Sequence, residues 1–138
     1  MYLIDTDILI DFFKAKYRLN DKIKAVGLKN CYVSEITIAE ITYGALKSSD
    51  IKKELKNVNR VKSNFKVLPI TDVLDLYSQE RLRLEKSGTR IPDFDLLIGV
   101  TSVANNFILV TGNGKHHSRI KGVIIENWRR KEDNEFLP

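Results

Sequence analysis

Ten residues at the start of the chain, Tyr2-Leu3-Ile4-Asp5-Thr6-Asp7-Ile8-Leu9-Ile10-Asp11, leave few folds open. Tyr2, Leu3 and Ile4 are a short apolar run of strand formers. Two carboxylates follow within three residues, and Ile8, Leu9, Ile10, Phe12 and Phe13 then resume at helical density. A parallel strand covered on both faces reads as a continuous apolar run, and a helix follows it after a tight connection. Asp5 is therefore predicted at the carboxyl end of a buried strand, with Asp7 capping the helix that starts there. Sites in open α/β sheets form outside the carboxyl ends of the strands. An acid delivered there by the first strand is a candidate for chemistry.

The same alternation runs through the chain. A short helix over Asn20 to Val26 stops at Gly27, and Cys31-Tyr32-Val33 reads as a second strand. Ser34 or Thr37 opens a helix through Ile38, Ile41, Ala45 and Leu46. Ile51, Leu55, Val58 and Val61 recur at helical spacing. Phe65 to Leu68 is a third strand, ended by Pro69. Thr71 or Asp72 caps a long helix that Gly88 stops. Pro92 keeps Ile91 extended. Asp93 is predicted to cap a helix through Leu96, Leu97, Ile98, Val100 and Ala104, apolar nearly all round and hence buried. Phe107 to Val110 is a fourth strand, Thr111 to Gly114 a turn and Val123 to Ile125 a fifth strand, with Trp128 placed against the sheet edge. Residues 1–130 read as one domain and 131–138 as a polar, frayed tail.

Strands alternating with helices argue a parallel sheet covered on both faces. A crossover helix starts at the end of the sheet where the strand before it finishes. Asp5, Glu40, Asp93, Asp95 and Asn113 are therefore predicted at one rim. Each acid also has a local role to weigh. Asp7 and Asp93 suit N-caps. Thr37-Ile38-Ala39-Glu40 matches a capping box, in which Glu40 bonds back to the Thr37 amide. Asp95 near a helix start is favoured by the macrodipole. Asp5, ending a buried strand, has no such local gain.

Composition narrows the partners. The net charge of +5 around an acidic centre favours a polyanion. Most of the basic runs, Arg129-Arg130-Lys131 among them, read as solvated faces. The single cysteine, Cys31, excludes an internal disulfide and reads as a buried, inert thiol. No apolar run is long enough to span a bilayer, and Asp5, Asp7 and Asp11 break what would otherwise resemble a leader, so a cytoplasmic protein is expected. Clustered carboxylates repel one another, and a divalent cation removes that cost. Mg²⁺ prefers oxygen ligands, one or two of them carboxylates, whereas His116, His117 and Cys31 lack a zinc-finger spacing.

Four segments together resemble the PIN domain, close to the VapC ribonuclease toxins. The opening Leu3 to Asp11 is the first. Ser34 to Ala45 is similar to the second, with Glu40 at its active-site acid. Ile91-Pro92-Asp93-Phe94-Asp95-Leu96-Leu97-Ile98-Gly99 resembles the third, whose aspartate falls on Asp95. Leu109-Val110-Thr111-Gly112-Asn113 resembles the fourth. The resemblance covers essentially the whole chain. It implies a three-layer α/β sandwich around a five-stranded parallel sheet of order 3-2-1-4-5. It implies Mg²⁺- or Mn²⁺-dependent RNA cleavage with Asp5, Glu40 and Asp95 as the catalytic acids. Asp5 and Asp95 would be metal ligands, with Thr6, Asp7, Asp93, Thr111 and Asn113 in support. It also implies a homodimer neutralised by a VapB-type antitoxin.

Many relatives carry an acid and then Phe shortly after the Asn113 position. His116 and His117 stand there instead, and both read as exposed turn residues, with His116 a candidate RNA contact. Two other functions compete. One is a phosphatase resembling the haloacid-dehalogenase family with Asp5 as nucleophile, for which Ile124-Ile125-Glu126-Asn127 offers only one of two late acids. The other is an inactive RNA- or partner-binding module, against which the four motif residues Asp5, Glu40, Asp95 and Asn113 all argue.

Overall fold

The computed structural model describes residues 1–129, so the tail assigned to 131–138 lies outside the described residues. Among them, five strands form one parallel sheet of order β3-β2-β1-β4-β5: β1 (Tyr2–Ile4), β2 (Cys31–Ser34), β3 (Lys66–Leu68), β4 (Ile108–Val110) and β5 (Ile125–Glu126). The helices are α1 (Thr6–Phe13), α2 (Leu19–Val26), α3 (Glu35–Lys47), α4 (Ile51–Asn64), α5 (Leu74–Lys86), α6 (Asp93–Ala104) and a single turn, α7 (Gly114–His117).

Side-chain alternation along the strands produces the layers. Ile4, Val33 and Val110 point to one face, where Ile8 and Leu9 of α1, Leu19 and Ile23 of α2 and Val58 and Val61 of α4 cover them. Leu3 and Leu109 point to the other face, against Leu97 and Ile98 of α6. Val73, Leu84, Ile91, Leu96, Val100 and Ile120 extend that second layer under α5. The expected three-layer sandwich and strand order are both found.

Several local expectations are corrected. The third and fifth strands begin later than the apolar runs suggested, because Phe65 and Val123 pack into the helical layers. A short 3₁₀ turn at Thr71–Val73 precedes α5, which has no side-chain cap. Trp128 is buried over Tyr2 of the central strand, ring centroids 5.3 Å apart, and not at a sheet edge. Cys31 is buried and free, and burial pushes its thiol up to about 11.

Candidate active site

Register brings the rim together. Ile4 pairs with Val110, so Asp5 and Thr111 follow side by side. The Asp5 amide donates to the Val110 carbonyl at 2.9 Å, and the Thr111 hydroxyl donates to Asp5 Oδ2 at 2.7 Å. Asp5 is also the N-cap of α1, its Oδ1 accepting from the Thr6 amide at 2.8 Å. Asp7, predicted as that cap, lies within the first turn of α1. It accepts from the Ile8 amide at 2.7 Å and the Gly112 amide at 3.1 Å. The reason is backbone geometry: the residue leaving the strand still has extended dihedrals and is the one whose side chain can reach the first free N–H.

Ser34, ending β2, caps α3 through the Ile36 amide at 3.0 Å. That moves Thr37 and Glu40 into the helix and overturns the capping-box reading. Three residues apart, they share one face, and that face meets Thr6. Thr6 Oγ1 is 2.7 Å from Glu40 Oε1 and 3.0 Å from Thr37 Oγ1. A carboxylate only accepts, so Thr6 donates to Glu40 while its own amide holds Asp5. One threonine thus links two of the acids.

Asn113 links the third. Its amide donates to Thr111 Oγ1 at 2.9 Å, and its Nδ2 lies 3.4 Å from Asp95 Oδ2. Asp95, in the first turn of α6, therefore connects through Asn113 and Thr111 to Asp5. Asp93 does not join them. Pro92 occupies the cap position, and the Asp93 carboxylate accepts from Tyr77 Oη at 2.9 Å beside Arg90 at 3.3 Å and Arg81 at 3.6 Å. Proline has no side-chain acceptor, so α6 lacks a side-chain cap and Asp93 serves a corner between α5 and α6.

Neither histidine is the exposed turn residue that was expected. His116 is half-buried, with Nδ1 3.0 Å from Asn113 Nδ2 and 3.4 Å from Asp95 Oδ2. His117 is fully buried. Its Nδ1 lies 2.9 Å from the Asn113 carbonyl oxygen, which only accepts, so Nδ1 carries the proton. Its Nε2 has no hydrogen-bond partner and sits 3.8 Å from Asp5 Oδ2. Sequence reasoning also missed Arg129. Its Nε donates to the buried Asp11 at 2.5 Å, and its guanidinium stands 3.6 Å from Asp7 and lies across Gly112. A Cβ on Gly112 would come within 2.1 Å of it. Nothing local marks that arginine among three consecutive basic residues.

The electrostatics follow from these partners. Burial raises the Asp5 carboxyl above its ordinary range, and the Asp95 charge adds to this. His117 and the Thr111 and Thr6 bonds pull the other way. Burial, then the charge on Asp5, pushes Asp7 up to about 6 against the pull of Arg129. Asp93 is held below its ordinary value, first by the Tyr77 hydroxyl and then by Arg81 and Arg90.

The donor set suits a hard divalent cation. Asp5, Glu40 and Asp95 offer oxygens, Asn113 an amide, and the orphaned His117 Nε2 faces Asp5. Among the described residues no three His, Cys, Asp or Glu side chains close into a cage. The fit is therefore to an ion held by two carboxylates and completed by water and phosphate oxygens, the usual habit of Mg²⁺.

The PIN domain family matches residues 2–123. The chain is 29% identical over 137 residues to ribonuclease VapC2 of Rickettsia felis, covering 93% of this chain and 98% of that protein. It is 35% identical over 120 residues to ribonuclease VapC1 of Methanocaldococcus jannaschii, covering 86% of this chain and 80% of that protein. Its fold matches the crystal structure of VapBC2 from Rickettsia felis bound to a DNA fragment from their promoter. The TM-score there is 0.84 at 29% identity, covering 92% of this chain and 98% of that one.

Proposed function

This chain belongs to the PIN-domain family, and from that premise we propose that it is a divalent-metal-dependent endoribonuclease, the toxin of a VapBC-type toxin–antitoxin pair. The observation that carries the proposal is the linked set of acids at the sheet rim. Glu40, Asp5 and Asp95 are connected through Thr6, Thr111 and Asn113, all neutral groups.

Asp5 and Asp95 would hold the metal, which when bound polarises a phosphate and lowers the pKa of a coordinated water. The protein supplies the rest. Thr6, donating to Glu40 Oε1, fixes that carboxylate so that its other oxygen can take a proton from the attacking water. Thr111 accepts from the Asn113 amide and donates to Asp5, locking the acid's orientation from below. Asp7 steadies the Thr111–Asn113 loop through the Gly112 amide. The net charge of +5 assists encounter with RNA, so binding weakens steeply with salt.

The phosphatase alternative has less support. Glu126, the late acid it requires, is exposed on edge strand β5, two strands away from β1. The VapBC complex of Rickettsia felis motivates a VapB-type antitoxin as this chain's partner, and a homodimer is proposed with it. No helix among the described residues is long and apolar enough to cross a membrane.

Purified protein is expected to cleave RNA in Mg²⁺ or Mn²⁺, to stop in excess EDTA and to resume on adding back metal. Equal cleavage in excess EDTA would overturn the metal-dependent reading. Expression should arrest growth, Asp5→Asn should not, and a co-expressed antitoxin should restore growth. If wild type and Asp5→Asn affect growth alike, the toxin reading fails.

A further inference from the structure

We propose that His116 is a nitrogen ligand of the metal centre and makes that centre prefer a first-row transition-metal ion over Mg²⁺. The proposal rests on the metal-dependent reading above and adds which ion the site selects, and by what atom.

Three polar groups crowd the α7 side of the rim. His116 Nδ1 is 3.0 Å from Asn113 Nδ2 and 3.4 Å from Asp95 Oδ2, and Asn113 Nδ2 is also 3.4 Å from Asp95 Oδ2. An amide NH₂ only donates, so His116 Nδ1 accepts from it and directs its lone pair into the cluster, leaving its proton on Nε2. Adjacent ligands of an octahedral ion bound at about 2.1 Å stand roughly 3 Å apart, close to the spacing seen here. A metal ion would take the imidazole lone pair in place of the Asn113 NH₂, so that His116 Nδ1 and Asp95 Oδ2, 3.4 Å apart, would form the nitrogen and oxygen edge of a mixed site.

A second observation marks the same centre. His117 Nε2 is fully buried, has no hydrogen-bond partner and is aimed at Asp5 Oδ2, 3.8 Å away. Buried polar atoms are nearly always satisfied, so this one indicates a further occupant beside Asp5. The chemistry of the occupant follows from the donors. Carboxylates and waters alone suit Mg²⁺, whereas an imidazole nitrogen favours first-row transition ions, whose affinities rise from Mn²⁺ onward. His116 is half-buried with its side chain 38% exposed, so it can be replaced without opening the core.

The test titrates Mn²⁺ and Mg²⁺ separately into the full-length, metal-free protein without RNA, and records pulsed EPR of the Mn²⁺ form. Wild type should bind Mn²⁺ at least about tenfold more tightly than Mg²⁺ and show nitrogen modulation from a directly bound imidazole. His116→Ala should lose that modulation and weaken Mn²⁺ about tenfold or more, leaving Mg²⁺ affinity nearly unchanged. His116→Asp should lose the modulation while tightening Mg²⁺, which narrows the ratio. Nitrogen modulation absent from wild type or persisting in His116→Ala overturns the proposal, as does an unchanged ratio of affinities. If wild type binds neither ion, the metal-dependent reading itself fails and takes this proposal with it.

Discussion

Asp5 and Asp93 lie at the starts of two helices, yet their surroundings are opposite. At the corner between α5 and α6, Asp93 meets Tyr77, Arg81 and Arg90. Nearby on α5 the buried Glu80 is gripped by Arg83 through both oxygens, at 2.5 and 2.8 Å, and by the Lys121 amide at 2.9 Å. Both carboxyls are held below their ordinary values, led by the Tyr77 hydroxyl for Asp93 and by Arg83 for Glu80. At the rim, the Asp5 carboxylate accepts from the Thr111 hydroxyl and the Thr6 amide, and Asp7 from two amides with one arginine at 3.6 Å. Burial raises both, with the Asp95 charge adding to it at Asp5 and the Asp5 charge at Asp7. The corner is electrostatically finished and works as structure. The rim keeps negative charge that the fold orients without neutralising, the condition that a cation and an attacking water require.

The strongest way to break this contrast is to neutralise an acid in each region. Asp95→Asn should lower cleavage by about a hundredfold or more while leaving metal-free stability unchanged or slightly raised. RNA cleavage assays and thermal melts read both quantities, and an active Asp95→Asn enzyme would place the centre elsewhere. Next comes the scaffold of the rim. Thr111→Val keeps the shape but strips one donor and one acceptor from a fully buried position, at a cost of about 2 kcal/mol in urea unfolding. A wild-type midpoint for that variant would mean that the hydroxyl does not hold Asp5.

Acidity sharpens the comparison further. Asp7 ionises near 3.8 when unfolded and near 6 when folded, so the folded chain holds the extra proton between those values. Its contribution to stability is full below 3.8 and is lost as pH rises through 6. Metal-free protein should therefore gain about 1 kcal/mol, allowing for partial exposure, as pH falls from 7 toward 4, and Asp7→Asn should flatten that rise. Asp93 and Glu80 act in the opposite sense. Their stabilisation is present above their ordinary values of 3.8 and 4.5 and disappears as pH falls through the lowered folded values. A melting profile that declines steadily from pH 7 downward would contradict the assignment. The smallest effect belongs to Asp93→Asn, which should cost roughly half a kcal/mol at this exposed network and leave cleavage near wild type. A dead Asp93→Asn enzyme would exchange the roles of the two acids.

The amino-acid sequence alone determined the alternation of strands and helices, and with it the end of the sheet where Asp5, Glu40, Asp95 and Asn113 lie. Apolar period and crossover direction are local properties that survive without knowledge of neighbours. The resemblance of four short motifs supplied the strand order, because each spans a strand end and the turn or helix that follows it. Caps were decided only in three dimensions: Asp5 for Asp7, Ser34 for Thr37 and Pro92 for Asp93 each depend on which residue leaves the strand or loop last with extended dihedrals. The partners of the acids were decided there too. His117 is buried because α7 packs on α6 where Gly99 leaves room, a Cβ at that glycine falling 3.6 Å from the imidazole and 2.1 Å from Ile120. Arg129 reaches Asp11 across 118 residues of chain. Contacts between residues so far apart leave no periodic trace in the sequence, and only close packing selects which side chain fills the space.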